Sequence, residues 1–213
     1  MRPGGLDGTT GASRAHPAPC LVKFQGFEPR PPISFWLALR RVGVRPSRWL
    51  LMVSVRRQRM VLFEQAPSRV GSGLWPGYRA RRSYLISTST RGTGQQQHSY
   101  CTPLGLHRVA RKIGAGAPIG TVFRYRQPIG LTWAGLPAAG IVHRILWLEG
   151  LEPGLNRGGA VDSFRRCIYI HGFGDEKTLG RPASRGCIHL AARDLIPLFD
   201  LVPVGTLVWI GSD

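Results

Sequence analysis

Trp49-Leu-Leu-Met-Val-Ser-Val55, Arg56-Arg-Gln-Arg59 and Met60-Val-Leu-Phe63 form one continuous stretch in which two strand-length apolar runs flank a polar tetrad. β-branched and aromatic residues in short runs either side of a polar turn predict a β-hairpin. Outward from it, further short apolar runs recur at Tyr84–Ile86, Leu104–Val109, Thr121–Tyr125, His143–Leu148, Cys167–Ile170 and Thr206–Ile210, separated by clusters such as Gly114-Ala-Gly-Ala-Pro118 and Gly135-Leu-Pro137. A βαβ arrangement needs helical segments of roughly 10 to 15 residues between its strands, and none are visible here. The pattern therefore predicts a mainly β fold, a sandwich or barrel-like domain with a few short helices. One late helix is predicted over Ala191–Leu201, bent or shortened by Pro197. A short helix is predicted over residues 34–42, capped by Ser34 and stopped near Gly43, lying on the domain. Residues 1–32 are rich in Pro and Gly without an apolar period, so residues 1–48 read as a leader carrying that helix, and residues 49–213 as the domain proper.

At 213 residues and 43% hydrophobic content the chain has apolar material for one core, which excludes global disorder. No apolar run approaches the roughly 18 to 20 residues that cross a bilayer, so no transmembrane span is expected. The net charge is +18, and with only Lys23, Lys112 and Lys177 as lysines the basicity is that of arginine. It is uneven: 8 basic against 2 acidic residues over 1–50, 13 against 1 over 51–130, and 8 against 8 over 131–213. Such a surface attracts nucleic acid, an anionic membrane or a carboxylate-rich polymer, and charge alone does not choose among them. Cys20, Cys101, Cys167 and Cys187 are too sparse for a disulfide scaffold. No convincing secretory signal is seen at the N-terminus.

The chemistry-bearing stretch is Cys167-Ile-Tyr-Ile-His171-Gly172, an 11-residue polar loop over Phe173–Ala183, then Ser184-Arg-Gly-Cys187-Ile-His189-Leu190. If residues 167–171 form a strand, Cys167, Tyr169 and His171 share a face. Cys167 then lies about 13 Å from His171, beyond a base's reach. Cys187 follows a loop able to fold back to His171, and Gly186 beside it lets a carbonyl approach the backbone. A free thiol titrates near 8.5, so an imidazole that removes its proton makes the nucleophile. Backbone N–H groups of Gly186 and Cys187 are the expected donors to a tetrahedral oxyanion.

These residues resemble the L,D-transpeptidases with the YkuD-type catalytic domain, whose signature is a His-Gly followed after a loop by Ser-x-Gly-Cys. Thr102-Pro-Leu-Gly-Leu-His-Arg-Val109 resembles that family's Thr-Pro-x-Gly strand, and Tyr84-Leu-Ile-Ser-Thr-Ser89 its Ile-Ser-Thr-Gly segment. The resemblance implies that Cys187 attacks a peptidoglycan stem peptide at its diamino-acid carbonyl, expels D-alanine and passes the acyl group to an amine, with no cofactor. His171 is then the proton shuttle, Gly172 and Ser184 orient the imidazole and line the site, and Arg185, at the motif's variable position, is a candidate for a stem carboxylate. His189 stands where the family often has Arg or Asn, and an imidazole holds a carboxylate less firmly than a guanidinium. The resemblance also implies acylation of Cys187 by carbapenem-type β-lactams and a location in the periplasm or cell envelope.

Alternatives remain. Water as acceptor gives an L,D-carboxypeptidase or another murein hydrolase. Cys167, His171, Cys187 and His189 are all zinc-competent ligand types, although no metal site is expected because the one-residue gap between Cys187 and His189 spreads ligands onto opposite faces. Trp75, Tyr78 and Tyr84 among Arg79, Arg81 and Arg82 motivate a nucleic-acid-binding module without catalysis, although no specific nucleic acid is expected. Should the chain be exported, Cys101 and Cys167 are a candidate disulfide.

Overall fold

A computed structural model describes residues 30–66, 77–137 and 139–213. The chain runs α1 (Ile33–Val42), β1 (Trp49–Ser54), β2 (Arg59–Gln65), β3 (Tyr78–Ser87), β4 (Gly105–Ile113), β5 (Thr121–Arg124), β6 (Gln127–Leu131), β7 (Val142–Gly150), β8 (Tyr169–Gly172), β9 (Ile188–Leu190), α2 (Ala192–Leu201) and β10 (Leu207–Gly211). The hairpin that opens the reading is β1 against β2, antiparallel with Trp49 opposite Glu64 and Ser54 opposite Arg59. Strand order is β4-β10-β1-β2-β3-β9-β8-β7-β5-β6, and β4 also pairs with β7. Eight strands thus close into a barrel-like sheet, and the β5–β6 hairpin hangs from β7 through Val122 opposite Val142. A closed circuit leaves few unpaired edges. Two pairs are parallel, β1 with β10 and β8 with β9.

Side-chain alternation sorts the apolar residues into three clusters. Leu51, Val53, Met60, Leu62, Ile86, Leu146, Leu148, Ile168, Ile170, Ile188, Val208 and Ile210 form the inner core, and α2 adds Leu195, Leu198 and Phe199 to it. Leu50, Phe63, Ala80, Leu106 and Leu207 point the other way and are covered by Phe35, Ala38 and Leu39 of α1. The third cluster, Phe123, Ile145, Trp147 and Tyr169, with Cys167 and Cys187 packed against it, lies outside the barrel where β5, β7 and β8 meet. That third face carries Cys187, the candidate nucleophile.

Several expectations are refined. The N-cap of α1 is Pro32, without a side-chain bond, so Ser34 sits inside the first turn and does not cap; Gly43, left-handed at φ 67°, ends the helix. α2 continues through Pro197 to Leu201. β6 escapes the apolar pattern because Gln127-Pro-Ile-Gly-Leu131 is almost entirely exposed. Cys167 is not in a strand. Its φ is +57°, and it closes a turn in which Arg166 N–H bonds Asp162 O and Cys167 N–H bonds Phe164 O, so the extended run begins only at Tyr169. No described helix is long and apolar enough to cross a membrane.

Candidate active site

β8 and β9 lie side by side in parallel register, Ile170 opposite Ile188 and His171 opposite His189. The isoleucines enter the core, so His171 and His189 share the outer face, with Tyr169 two residues upstream of His171 on the same face. Cys187 stands one residue before β9, its sulfur 3.4 Å from the Cys167 carbonyl oxygen and hydrogen-bonded by the Tyr169 N–H. Continuing the ladder by one residue puts the Cα atoms of Cys187 and His171 about 8 Å apart, with the thiol turned to Cys167 O and the imidazole Nδ1 to Gly172 O.

The loop that returns Cys187 is clamped at several points. Ala183 and Ser184 N–H both bond Thr88 O at 2.9 Å, Ser87 Oγ bonds Thr178 O at 2.7 Å, and Ser89 N–H bonds Thr102 Oγ1 at 3.0 Å. The Ile-Ser-Thr-Ser and Thr-Pro segments are therefore the dock for the thiol-bearing loop. Ser184 Oγ donates to Cys187 O at 2.6 Å and accepts the Gly186 N–H at 3.2 Å. Ser184 thus holds the turn and does not touch the imidazole, and the oxyanion donor expected at Gly186 is already engaged. Gly186 is glycine for its backbone: φ is +112°, and a Cβ there would lie 3.1 Å from Cys101 O.

His171 is 3% exposed, and its Nδ1 lies 2.7 Å from Gly172 O. A carbonyl only accepts, so Nδ1 carries the proton and Nε2 presents the lone pair. Burial pushes the imidazole down to about 4, against the opposing pull of that bond. Burial likewise pushes the Cys187 thiol up to about 12, and the Tyr169 N–H works against it. Both groups are neutral at pH 7. Gly172 serves by lacking a side chain: a Cβ would fall inside the envelope of His143 Cδ2 and 2.7 Å from Val142 O.

His189 departs from the expected carboxylate holder. It is 5% exposed, stacked on Phe173 at 4.5 Å and edge-on to His171 at 4.9 Å. Burial, then the neighbouring His171, push it down to about 3, so it is neutral, and its buried Nδ1 has no partner. Arg185 is exposed at the turn apex. Among the described residues no three ligand-type side chains converge. Cys101, Cys167 and Cys187 are free thiols. The nucleic-acid reading loses its aromatic platform: Tyr78 packs on Phe35, Trp36 and Phe63, Tyr84 lies in the core, and Arg81 and Arg82 pair with Glu64 and Asp194. Trp75 lies outside the described residues.

Two contributors carried no motif. Arg166 donates to Gly94 O, Gln95 O and Cys101 O, tying the β3–β4 connection to the floor of the site, and its charge favours the Cys187 thiolate. A cavity of about 760 Å³ opens above Cys187, walled by Cys167 and Tyr169 on one side and by the β5–β6 hairpin and residues 135–137 and 139–141 on the other.

The L,D-transpeptidase catalytic domain model, YkuD, matches residues 48–210. Among solved structures the chain is similar to Bdellovibrio bacteriovorus Bd1075, at 14% identity over 78% of this chain and 48% of that one, TM-score 0.48. It is similar to an L,D-transpeptidase from Mycobacterium smegmatis, at 15% identity over 77% and 58%, TM-score 0.41. It is also similar to L,D-transpeptidase 3 from Mycobacterium tuberculosis in complex with a faropenem-derived adduct, at 15% identity over 76% and 60%, TM-score 0.41. The chain spans about half to three fifths of the length of these structures. No curated protein matches. The matched segment takes in the whole barrel but for its last residue, and with it His171 and Cys187, and on that match the chain belongs to the YkuD family of L,D-transpeptidase catalytic domains.

Proposed function

We propose that the protein is a cysteine-dependent L,D-transpeptidase acting on peptidoglycan stem peptides. The observation that carries this reading is the joint placement of His171, on β8, and Cys187, one residue before β9, on the outer face, with Nδ1 of the imidazole spent on Gly172 O. Because the thiol is pushed up and the imidazole down, a resting thiolate–imidazolium pair is disfavoured. The proton leaves Sγ for Nε2 as sulfur attacks the diamino-acid carbonyl, when substrate has displaced the thiol from the Cys167 carbonyl. Collapse of the tetrahedral adduct forms the thioester and breaks the amide bond, and the imidazolium gives its proton to the departing D-alanine nitrogen. An acceptor amine then loses a proton to His171 and attacks the thioester, regenerating the thiol. These steps need no cofactor.

Water at the second step would give a carboxypeptidase or murein hydrolase, and acceptor choice depends on the second subsite. A strained β-lactam carbonyl offers the same electrophile, so carbapenems are expected to acylate Cys187. The stem substrate places the working site in the periplasm or cell envelope. The test is to incubate the protein and its Cys187→Ser variant with tetrapeptide muropeptides and follow products by mass. Cross-linked dimer formed by the native protein alone supports transpeptidation, free tripeptide supports hydrolysis, and neither product overturns the reading.

A further inference from the structure

The cavity above Cys187 is electrically one-sided: Arg124 and Arg126 line it, and among the described residues no aspartate or glutamate does. The two arginines differ. Arg124 is exposed, whereas Arg126 is half-buried, its guanidinium carbon 4.7 Å from the Trp147 ring centre and its Nη1 3.4 Å from the Tyr169 hydroxyl. Its other side-chain bond among the described residues, to Cys167 Sγ at 3.9 Å, also uses Nη1. Among the described residues no carboxylate pairs with Arg126. Nothing among the described residues engages the Nε–Nη2 edge, one of the edges that grip a carboxylate with two parallel bonds. The backbone holds this pose at a cost. Tyr125 and Arg126 are the central pair of the β5–β6 turn at φ 49° and 70°, a left-handed pair that favours Asn and Gly and here carries neither.

From this we infer that Arg126 is the carboxylate anchor of the cavity, a specificity-determining residue that grips an anionic group of the peptide attacked by Cys187. The identity of that peptide rests on the proposed function; the chemistry of the anchor does not. A guanidinium already stacked on an indole loses little freedom when it binds, and stays charged at any working pH. His189 is buried and stacked on Phe173, and neither it nor Arg185 lines the cavity.

The test is calorimetric binding to the Cys187→Ala protein, in which no turnover occurs. Three tetrapeptide stems are compared: the free acid, one amidated at the terminal D-alanine, and one amidated at the diamino-acid side chain. The free acid is expected to bind at least tenfold more tightly than one of the two amides, and the amide that loses affinity names the carboxylate gripped. Adding Arg126→Gln is expected to abolish that gap, Arg126→Lys to keep part of it, and Arg124→Gln, which removes the same charge from the same hairpin, to change affinity less than threefold. Equal binding of all three stems by the Cys187→Ala protein, or a gap that survives Arg126→Gln in a protein with an unchanged melting temperature, overturns the inference. Failure of the proposed chemistry is read separately, as absence of acyl transfer by the native protein, and leaves the binding result standing.

Discussion

Replacing Gly172 by alanine adds one methyl group where the barrel has no room for it. The new Cβ meets the His143 ring and lies 2.7 Å from the Val142 carbonyl oxygen. Neither neighbour yields easily: Val142 is the β7 residue opposite Gly172, and the His143 ring is held by the Gly120 N–H at 2.8 Å. Relief must come from backbone movement, which costs about 1–3 kcal/mol for an overpacked site. In a chain of this size that lowers the melting temperature by roughly 2–12 °C. The same movement displaces the Gly172 carbonyl that orients the His171 imidazole. A shift approaching 1 Å in a catalytic base is worth roughly 100-fold in rate. Gly172→Ala is therefore expected to slow acylation of Cys187 by tetrapeptide donor about 10- to 100-fold, a loss larger than the fraction unfolded explains. The paired assay is a thermal melt beside an intact-mass time course. In a His143→Ala background, where the ring is gone, Gly172→Ala is expected to cost less than alone. A Gly172→Ala protein that melts within a degree of the native one and acylates at the native rate would refute this packing argument.

Four further outcomes are expected. The histidines His107, His171 and His189 are buried and titrate near 4, 4 and 3 in the fold, against about 6.5 unfolded. As pH falls through 6.5 the unfolded chain takes up protons that the fold refuses, so stability drops between pH 6.5 and about 4, each group costing about 3 kcal/mol by pH 4; a flat urea midpoint over that range counts against their burial. The acid limb of kcat/KM is expected near 4, and a limb at 6.5 would show a solvated base. Phe35→Ala is expected to destabilise the protein by about 3–5 kcal/mol, although α1 lies outside the family match, because Phe35 is fully buried among β-strand residues; an unchanged denaturation midpoint would detach α1 from the fold. Glu152→Ala should cost about 1–3 kcal/mol, since it strips the buried Leu106 N–H of its acceptor while the exposed Arg41 guanidinium regains water, and an unchanged denaturation midpoint would contradict that network.

What local pattern encodes, the sequence makes legible. The β1–β2 hairpin is readable because its apolar runs and polar turn are contiguous, and α2 because its apolar period survives Pro197. His171 and Cys187 stand out through residue type and order, and the register of β8 on β9 explains why the order matters. Closure of the barrel is not readable, because β4 meets β7 through pairs such as His107 opposite Gly150, which no local period announces. The β5–β6 turn is hidden for a different reason: Tyr125 and Arg126 adopt left-handed backbone without the Gly or Asn that signals it. The neutrality of His189 likewise follows from Phe173 folding over it, a contact made only in three dimensions.

The most direct measurement is the intact mass of the protein after brief exposure to a tetrapeptide donor without an acceptor, followed by peptide mapping. The expected result is an adduct on Cys187 equal to the donor less D-alanine, discharged by an added amine, slowed in His171→Gln and missing in Cys187→Ala. Donor turnover that persists without the Cys187 sulfur, or a native protein that forms no adduct and releases no D-alanine, would contradict the account.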